Sequence, residues 1–251
     1  VNLFVFVFMI GACLSQGRAQ TKSAVSYKNP VVDIAMPDPT VIKAADGYFY
    51  VYATESTRNV PIMKSKDLVE WTYCNTAFTN KTRPRFEPKA GIWAPDINYI
   101  NGKYVLYYAM SVWGGEQTCG IGVATANSPQ GPFTDHGKMF RSNEIGVQNS
   151  IDPSLLQYEG RNYLVWGSFR GIYVIELTTD GLSIMPGAKK KRIAGTAFEA
   201  VYIHKHDDYY YMFASIGSCC QGVKSTYKVV VGRSKKVWGP YKDKTGKPML
   251  K

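Results

Sequence analysis

Short apolar runs rich in tyrosine, valine, isoleucine and phenylalanine recur along the chain, each soon broken by a glycine-bearing turn. Four pairs of such runs share one plan. Asp38-Pro-Thr-Val-Ile42 leads to Tyr48-Phe-Tyr-Val-Tyr-Ala-Thr54, and Asp96-Ile-Asn-Tyr-Ile100 leads to Tyr104-Val-Leu-Tyr-Tyr-Ala109. Asp152-Pro-Ser-Leu-Leu156 leads to Tyr163-Leu-Val-Trp-Gly-Ser168, and Glu199-Ala-Val-Tyr-Ile203 leads to Tyr209-Tyr-Tyr-Met-Phe-Ala-Ser215. β-Branched and aromatic residues suit a pleated, half-buried surface, and Asp46-Gly47, Asn101-Gly102 and Glu159-Gly160 tolerate the positive φ of tight hairpin turns. No stretch carries a convincing helical period.

The acidic residues that open the units recur at intervals of about 47–58 residues, in or near the range of propeller blades. A later segment repeats as well: Ile121-Gly-Val-Ala-Thr-Ala-Asn-Ser-Pro-Gln-Gly-Pro-Phe133 is echoed by Val229-Val-Val-Gly-Arg-Ser-Lys-Lys-Val-Trp-Gly-Pro-Tyr241. Each unit therefore predicts a four-stranded antiparallel sheet, the sheets arranged radially with their first strands beside a central channel. Four units fit before Lys251, where the spacing would open a fifth. The expected fold is all-β, with about four blades of the propeller present in a chain cut short at its C-terminus.

A repeat that keeps a carboxyl at one place in each copy would gather carboxyls at one point in space. Inverting hydrolysis of a glycosidic bond needs such a group: one carboxylate to activate water and one carboxylic acid to protonate the leaving oxygen, roughly 6.5–9.5 Å apart. A third can raise the acid's pKa by like-charge repulsion. Asp38-Pro39 and Asp152-Pro153 taken singly would read as turns, whereas Glu199, set between Phe198 and Ala200-Val201, places a carboxyl in apolar sequence.

Composition narrows the rest. The 251 residues are 45% hydrophobic and 14% aromatic, enough for a packed core, and the net charge is +11. The lysines are scattered except for Lys189-Lys-Lys-Arg192, which lacks interleaved aromatics and reads as a solvated loop, so no nucleic-acid partner is expected. Val1 to Ile10 is almost wholly apolar and too short to span a bilayer. With the small residues up to Gln20 it resembles an export signal, cleaved near Ala19 or acylated at Cys13 as a lipid anchor. The domain division is thus residues 1–20 as signal and 21–251 as an incomplete catalytic propeller; the location is secreted, periplasmic or an outer-surface lipoprotein. Cys219-Cys220 can form a vicinal disulfide or two packed thiols.

Met36-Pro-Asp-Pro-Thr40, Gly91-Ile-Trp-Ala-Pro-Asp-Ile97, Gln148-Asn-Ser-Ile-Asp-Pro-Ser154 and Phe198-Glu-Ala-Val-Tyr-Ile-His204 resemble the successive blade motifs of glycoside hydrolase family 43. Ser111-Val-Trp-Gly-Gly115, Gly167-Ser-Phe169 and Gly217-Ser-Cys-Cys-Gln-Gly222 resemble its endo-1,5-α-L-arabinanase branch. The resemblance implies a five-bladed propeller that inverts the anomeric centre of plant cell-wall arabinan or arabino-oligosaccharides. It makes Asp38 the general base, Glu199 the general acid and Asp152 the residue that tunes that acid. Asn149, Ser150 and Ile151 would line the adjoining sugar subsite, Trp93 and Trp113 would offer flat faces to sugar rings, and Gly115, Ser168 and Phe169 would wall the cleft. Asp96 is assigned to structure, and His204 and His206 to strand and turn. No cofactor is needed for the chemistry; calcium in the propeller channel of the intact protein is the one metal the family brings to mind. The alternatives are an exo-acting α-L-arabinofuranosidase or β-xylosidase, and a non-catalytic glycan-binding propeller inactivated by truncation.

Overall fold

The computed structural model describes residues 26–250, so the apolar leader and Cys13 lie outside the described residues. Four antiparallel sheets follow one another in chain order. The first contains β1 (Thr40–Lys43), β2 (Phe49–Tyr52), β3 (Pro61–Ser65) and β4 (Trp71–Thr76). The second contains β5 (Gly91–Ile100), β6 (Lys103–Ser111), β7 (Gly120–Ala126) and β8 (Thr134–Arg141). The third contains β9 (Ser154–Tyr158), β10 (Arg161–Trp166), β11 (Ile172–Glu176) and β12 (Lys191–Ala194). The fourth contains β13 (Glu199–His206), β14 (Tyr209–Ile216) and β15 (Lys228–Ser234), with Lys242 bridged to Arg233 and Pro248 beyond it. This is a four-bladed propeller arrangement, and β1, β5, β9 and β13 line its channel. One helical turn, Ser142–Ile145, and a 3-10 turn, Gly222–Lys224, are the only helical elements among the described residues.

The hairpin turns form where expected: Asn101-Gly102 and Glu159-Gly160 both have positive φ at each residue, the backbone of the turn that matches strand twist. The cluster Lys189–Arg192 is only partly a loop, because Lys191 and Arg192 open the outer strand β12 with their side chains in solvent. His204 and His206 are exposed on β13, as strand residues.

Packing between blades explains why some strands read as unbroken apolar runs. In β6, Leu106, Tyr108 and Met110 enter the cluster shared with the first blade, where they meet Tyr52, Ile62 and Phe78. Val105 and Tyr107, on the other face of the same strand, enter the cluster shared with Leu164 and Trp166 of the third blade. A strand with a blade on each face has no polar side, so alternation disappears. The third and fourth blades meet through Val165, Val174, Ile203 and Met212.

Two polar ties reinforce the apolar contacts. Arg83 forms a buried ion pair with Glu55, and Glu55 also accepts the backbone N–H of Ile92 (3.0 Å), joining the first two blades. Asp96 joins three. Its Oδ2 accepts the N–H of Leu155 on β9 (2.7 Å) and the side-chain amide of Asn98 (2.7 Å), while its Oδ1 accepts the Thr40 hydroxyl of β1 (3.4 Å). Burial pushes the Asp96 carboxyl up to about 6, against those three donors, which act to lower it.

The strand register corrects the expectation that the four acids share one repeat position. Thr40, Asp96, Ser154 and Tyr202 pair with Tyr52, Tyr107, Val165 and Phe213 and are the equivalent residues of the four blades. Two residues before each lies a residue in the left-handed region: Asp38 (φ 49), Ala94 (φ 41), Asp152 (φ 57) and Ala200 (φ 51). Only Asp38 and Asp152 are therefore equivalent. Glu199 stands one residue earlier, at the place of Trp93 and Ile151, and Asp96 stands two residues later. The bulges in β5 between Trp93 and Asp96 and in β13 between Glu199 and Tyr202 contain the left-handed residues Ala94 and Ala200, so the acids differ in where they stand around a backbone feature common to the four entries.

Asp96 generates a test. An acid whose folded pKa is raised stabilises the fold most below its unfolded value, about 3.9, and loses that contribution as pH rises toward 6. A shift of about two units corresponds to about 3 kcal/mol. Relative to Asp96→Asn, whose amide keeps an acceptor for Leu155 and Asn98, the native chain should lose up to about this much stability between pH 4 and 6 and none above. Denaturant unfolding across that range measures it; parallel profiles would refute the assignment.

Candidate functional site

The channel opens into a cavity of about 750 Å³ whose walls include Asp38, Ala94, Asp96, Asp152, Ala200, Ser215 and Tyr227. Three carboxyls gather at the blade entries, where the chain turns into β1, β9 and β13. Asp38 is exposed, Asp152 is partly buried and Glu199 is buried. The αL backbone at Asp38 and Asp152 is one that aspartate tolerates better than most residues, and non-glycine residues in this region concentrate at functional sites.

A hydroxyl residue at or just past the end of the second strand holds a carboxyl in two of the four blades, and in a third it lies beside one. Thr54 donates to Asp38 Oδ2 (2.6 Å) and accepts the backbone N–H of Ala94 (2.7 Å), so the Asp38 side chain is fastened to the second blade. Ser168 donates to Glu199 Oε2 (2.6 Å) and accepts the amide of Asn149 (2.9 Å). Ser215 pairs with Glu199 across the β13–β14 ladder. Sequence reasoning named Ser168 only as cleft wall and missed Thr54 and Ser215, although small residues closing each repeat were the available signal. Tyr227 had no such signal; its phenol stands beside the Glu199 carboxyl and the Ser215 hydroxyl.

The electrostatics of the group are asymmetric. Burial holds the Asp152 carboxyl well above the usual carboxylate range, negative charge on Glu199 and Asp38 pushes it further up, and the N–H of Ala200 opposes both. The Asp152 carboxyl therefore keeps its proton to higher pH than an isolated one, through burial first and its acidic neighbours second. Burial likewise raises the Tyr227 phenol, with the charges of Glu199 and Asp152 adding to it, so it remains a hydrogen-bond donor.

Of the expected sugar-contacting residues, the structure brings some to the surface and removes others from it. Trp93 is half-buried and lies against Trp113, which is 78% exposed, with ring centroids 5.5 Å apart. Asn149 and Phe169 are half-buried at the rim, Asn149 with its amide on Ser168 and Phe169 with its N–H on the carbonyl of Phe198. Ser150 cannot line a subsite. It is fully buried, its hydroxyl donating to Val147 O and accepting the indole N–H of Trp166. Ile151 is also core, packed with Ala109 and Cys119 beneath Trp93. Ser168 is 2% exposed and engaged by the carboxyl. Gly115 forms a turn, where a Cβ would stand 2.9 Å from Val112 Cγ2, so its absence of a side chain serves the backbone.

A channel calcium finds no cage here. Among the described residues no three His, Cys, Asp or Glu side chains stand close enough to hold a metal ion, and the buried carboxylate of Asp96 is already occupied by Leu155, Asn98 and Thr40. Cys219 and Cys220 are joined as a vicinal disulfide, and Cys74 and Cys119 are free.

The family model of glycosyl hydrolases family 43 matches residues 27–251. The chain belongs to this family. It is 39% identical over 227 residues to the extracellular endo-α-(1→5)-L-arabinanase 1 of Bacillus subtilis, covering 85% of this chain and 69% of that protein. It is 36% identical over 241 residues to the extracellular exo-α-(1→5)-L-arabinofuranosidase ArbA of Cellvibrio japonicus, covering 84% and 67%. Among solved structures it superposes on the α-L-arabinanase of Cellvibrio cellulosa complexed with arabinohexaose, with a TM-score of 0.78 at 32% identity, covering 87% of this chain and 76% of that one. A family 43 member is a glycoside hydrolase, and its carboxyl cluster needs no cofactor.

Because Thr54 serves Asp38 and the Ala94 N–H together, Thr54→Val should lower unfolding free energy by about 1–2 kcal/mol, the cost of leaving the part-buried Ala94 N–H without a partner. Thr54→Ser keeps the hydroxyl and should stay within about 1 kcal/mol of the native chain. Equal denaturation midpoints for Val and Ser would remove Thr54 from this role.

Proposed function

We propose that this family 43 enzyme is an exported, inverting endo-arabinanase that cleaves internal α-1,5-L-arabinofuranosyl links of plant arabinan. The observation that carries this is that Asp38 and Asp152 line one open cavity, with the buried Glu199 close enough to Asp152 to act on it by charge. Asp38, exposed and held by Thr54, acts as general base on water. Glu199, held by Ser168, protonates the departing sugar oxygen. Asp152, close enough to Glu199 for charge on one to act on the other, tunes that acid. The Trp93–Trp113 surface extends apolar area away from the carboxyls, which suits a chain with sugars bound beyond the cleaved link.

The named activities of the relatives support arabinan as substrate, and both named relatives are described as extracellular, which supports export. A lipid anchor at Cys13 or a free periplasmic or secreted form depends on processing of the leader. The exo-acting reading rests on the similarity to ArbA, and product size separates the two.

Linear arabinan should first yield a spread of arabino-oligosaccharides whose new reducing ends are β-configured by proton NMR, because inversion of an α link gives the β anomer. Arabinose alone from the outset would sink endo action, and α products would sink inversion. Glu199→Gln and Asp38→Asn should each lower kcat by at least about 100-fold while arabinan affinity, measured by calorimetry, persists.

A further inference from the structure

Asn149 reaches the Glu199 carboxyl through a single hydroxyl. Its backbone is held in the left-handed region (φ 54), with its N–H on Glu116 O (2.8 Å) and its carbonyl accepting the N–H of Ile151 (3.0 Å). From there the side-chain amide nitrogen lies 3.1 Å from Ser168 O and 2.9 Å from Ser168 Oγ. A carbonyl oxygen can only accept a hydrogen bond, so the atom facing Ser168 O is the NH2 and the amide has one orientation. The same NH2 has a second proton, and that one is given to Ser168 Oγ.

A serine hydroxyl has one proton to place. With Asn149 donating to Ser168 Oγ, that proton goes to Glu199 Oε2, 2.6 Å away. The approach is built on fixed backbone, because Ser168 and Glu199 are bridged and the N–H of Phe169 donates to Phe198 O (2.9 Å). Ser168 is 2% exposed and Glu199 9%, so water competes little for either group. In a carboxylic acid the carbonyl oxygen is the better acceptor, and an Oε2 that receives a hydroxyl leaves the acid's own proton on Oε1. We infer that Asn149 is a positioning residue, which by fixing the direction of the Ser168 hydroxyl makes Oε1 of Glu199 the oxygen that delivers the proton to the departing sugar. The inference rests on Glu199 being the general acid.

A double-mutant cycle tests it on two substrates: linear arabinan, whose leaving sugar oxygen requires protonation, and an aryl arabino-oligosaccharide with a weakly basic phenolate leaving group, which does not. Asn149→Gly removes the amide at a backbone conformation that glycine adopts freely. Asn149→Asp keeps the shape and sets an acceptor where the donor stood, drawing the hydroxyl away from Glu199. Each should lower kcat on arabinan, the first about tenfold and the second by more, with KM within about twofold and the aryl rate affected several-fold less. In a Ser168→Ala background Asn149→Gly should cost less than about twofold, because the amide then has no hydroxyl to direct. Additive losses would overturn the inference, as would a rise in KM with kcat unchanged, the mark of a residue that only binds sugar. Rates are scaled to the folded fraction read by circular dichroism, and Asn149→Asp carries the test if Asn149→Gly does not fold. Glu199→Gln run alongside separates two failures. If it loses both substrates equally, the acid assignment itself has failed; if it loses arabinan selectively while the Asn149 variants do not, only the role of Asn149 has failed.

Discussion

One buried carboxyl fastens three of the four described blades to one another. Asp96 draws on Thr40 of the first blade, Asn98 of its own and the backbone of Leu155 in the third. The clusters between blades are apolar and non-directional, so they fix the distance between sheets better than their rotation about the channel. A three-way hydrogen-bonded carboxylate is directional and sets that rotation. Its burial raises its own pKa, which is the cost of placing a charge where only three donors replace water. The clustered carboxyls of Asp38, Asp152 and Glu199 depend on this frame because they arrive from different blades and meet only if the blades hold their angles.

Within that frame, the site is made by small departures from a regular repeat. A strict repeat would place each acid at the same height around the channel and point them at one another. Instead, Glu199 stands one residue before and Asp96 two residues after the left-handed position that Asp38 and Asp152 occupy. One carboxyl is thereby sunk into the channel as a tie, one is buried against Ser168, and Asp38 is left facing solvent under Thr54. Four chemically similar groups acquire different surroundings, and surroundings decide which of them accepts and which donates a proton.

How far the site was legible in the chain follows from what each residue does. Asp38, Asp152 and Glu199 stood out because they recur at blade entries, and Asp96 was set apart as scaffold by its context. Asn149, Ser150 and Ile151 were grouped by adjacency to Asp152, yet a single stretch of backbone sends Asn149 to the rim, Ser150 under Trp166 and Ile151 beneath Trp93. Sequence proximity places a backbone near a site but leaves open the direction of the side chain. Thr54 and Tyr227 stayed hidden because threonine and tyrosine are ordinary strand residues, and their contacts join segments far apart in the chain.

By itself, the sequence determined the elements, their sheet order and the identity of the carboxyls. These are consequences of local pattern: β-forming runs, turns that tolerate positive φ, and acids repeated at blade length. Only the tertiary structure decided the register of those acids, the burial of Asp96 and Ser150, and the hydroxyls that hold Asp38 and Glu199. Bulges and blade-to-blade hydrogen bonds arise from packing between distant segments. No local stretch encodes them, and they set the surroundings of each carboxyl.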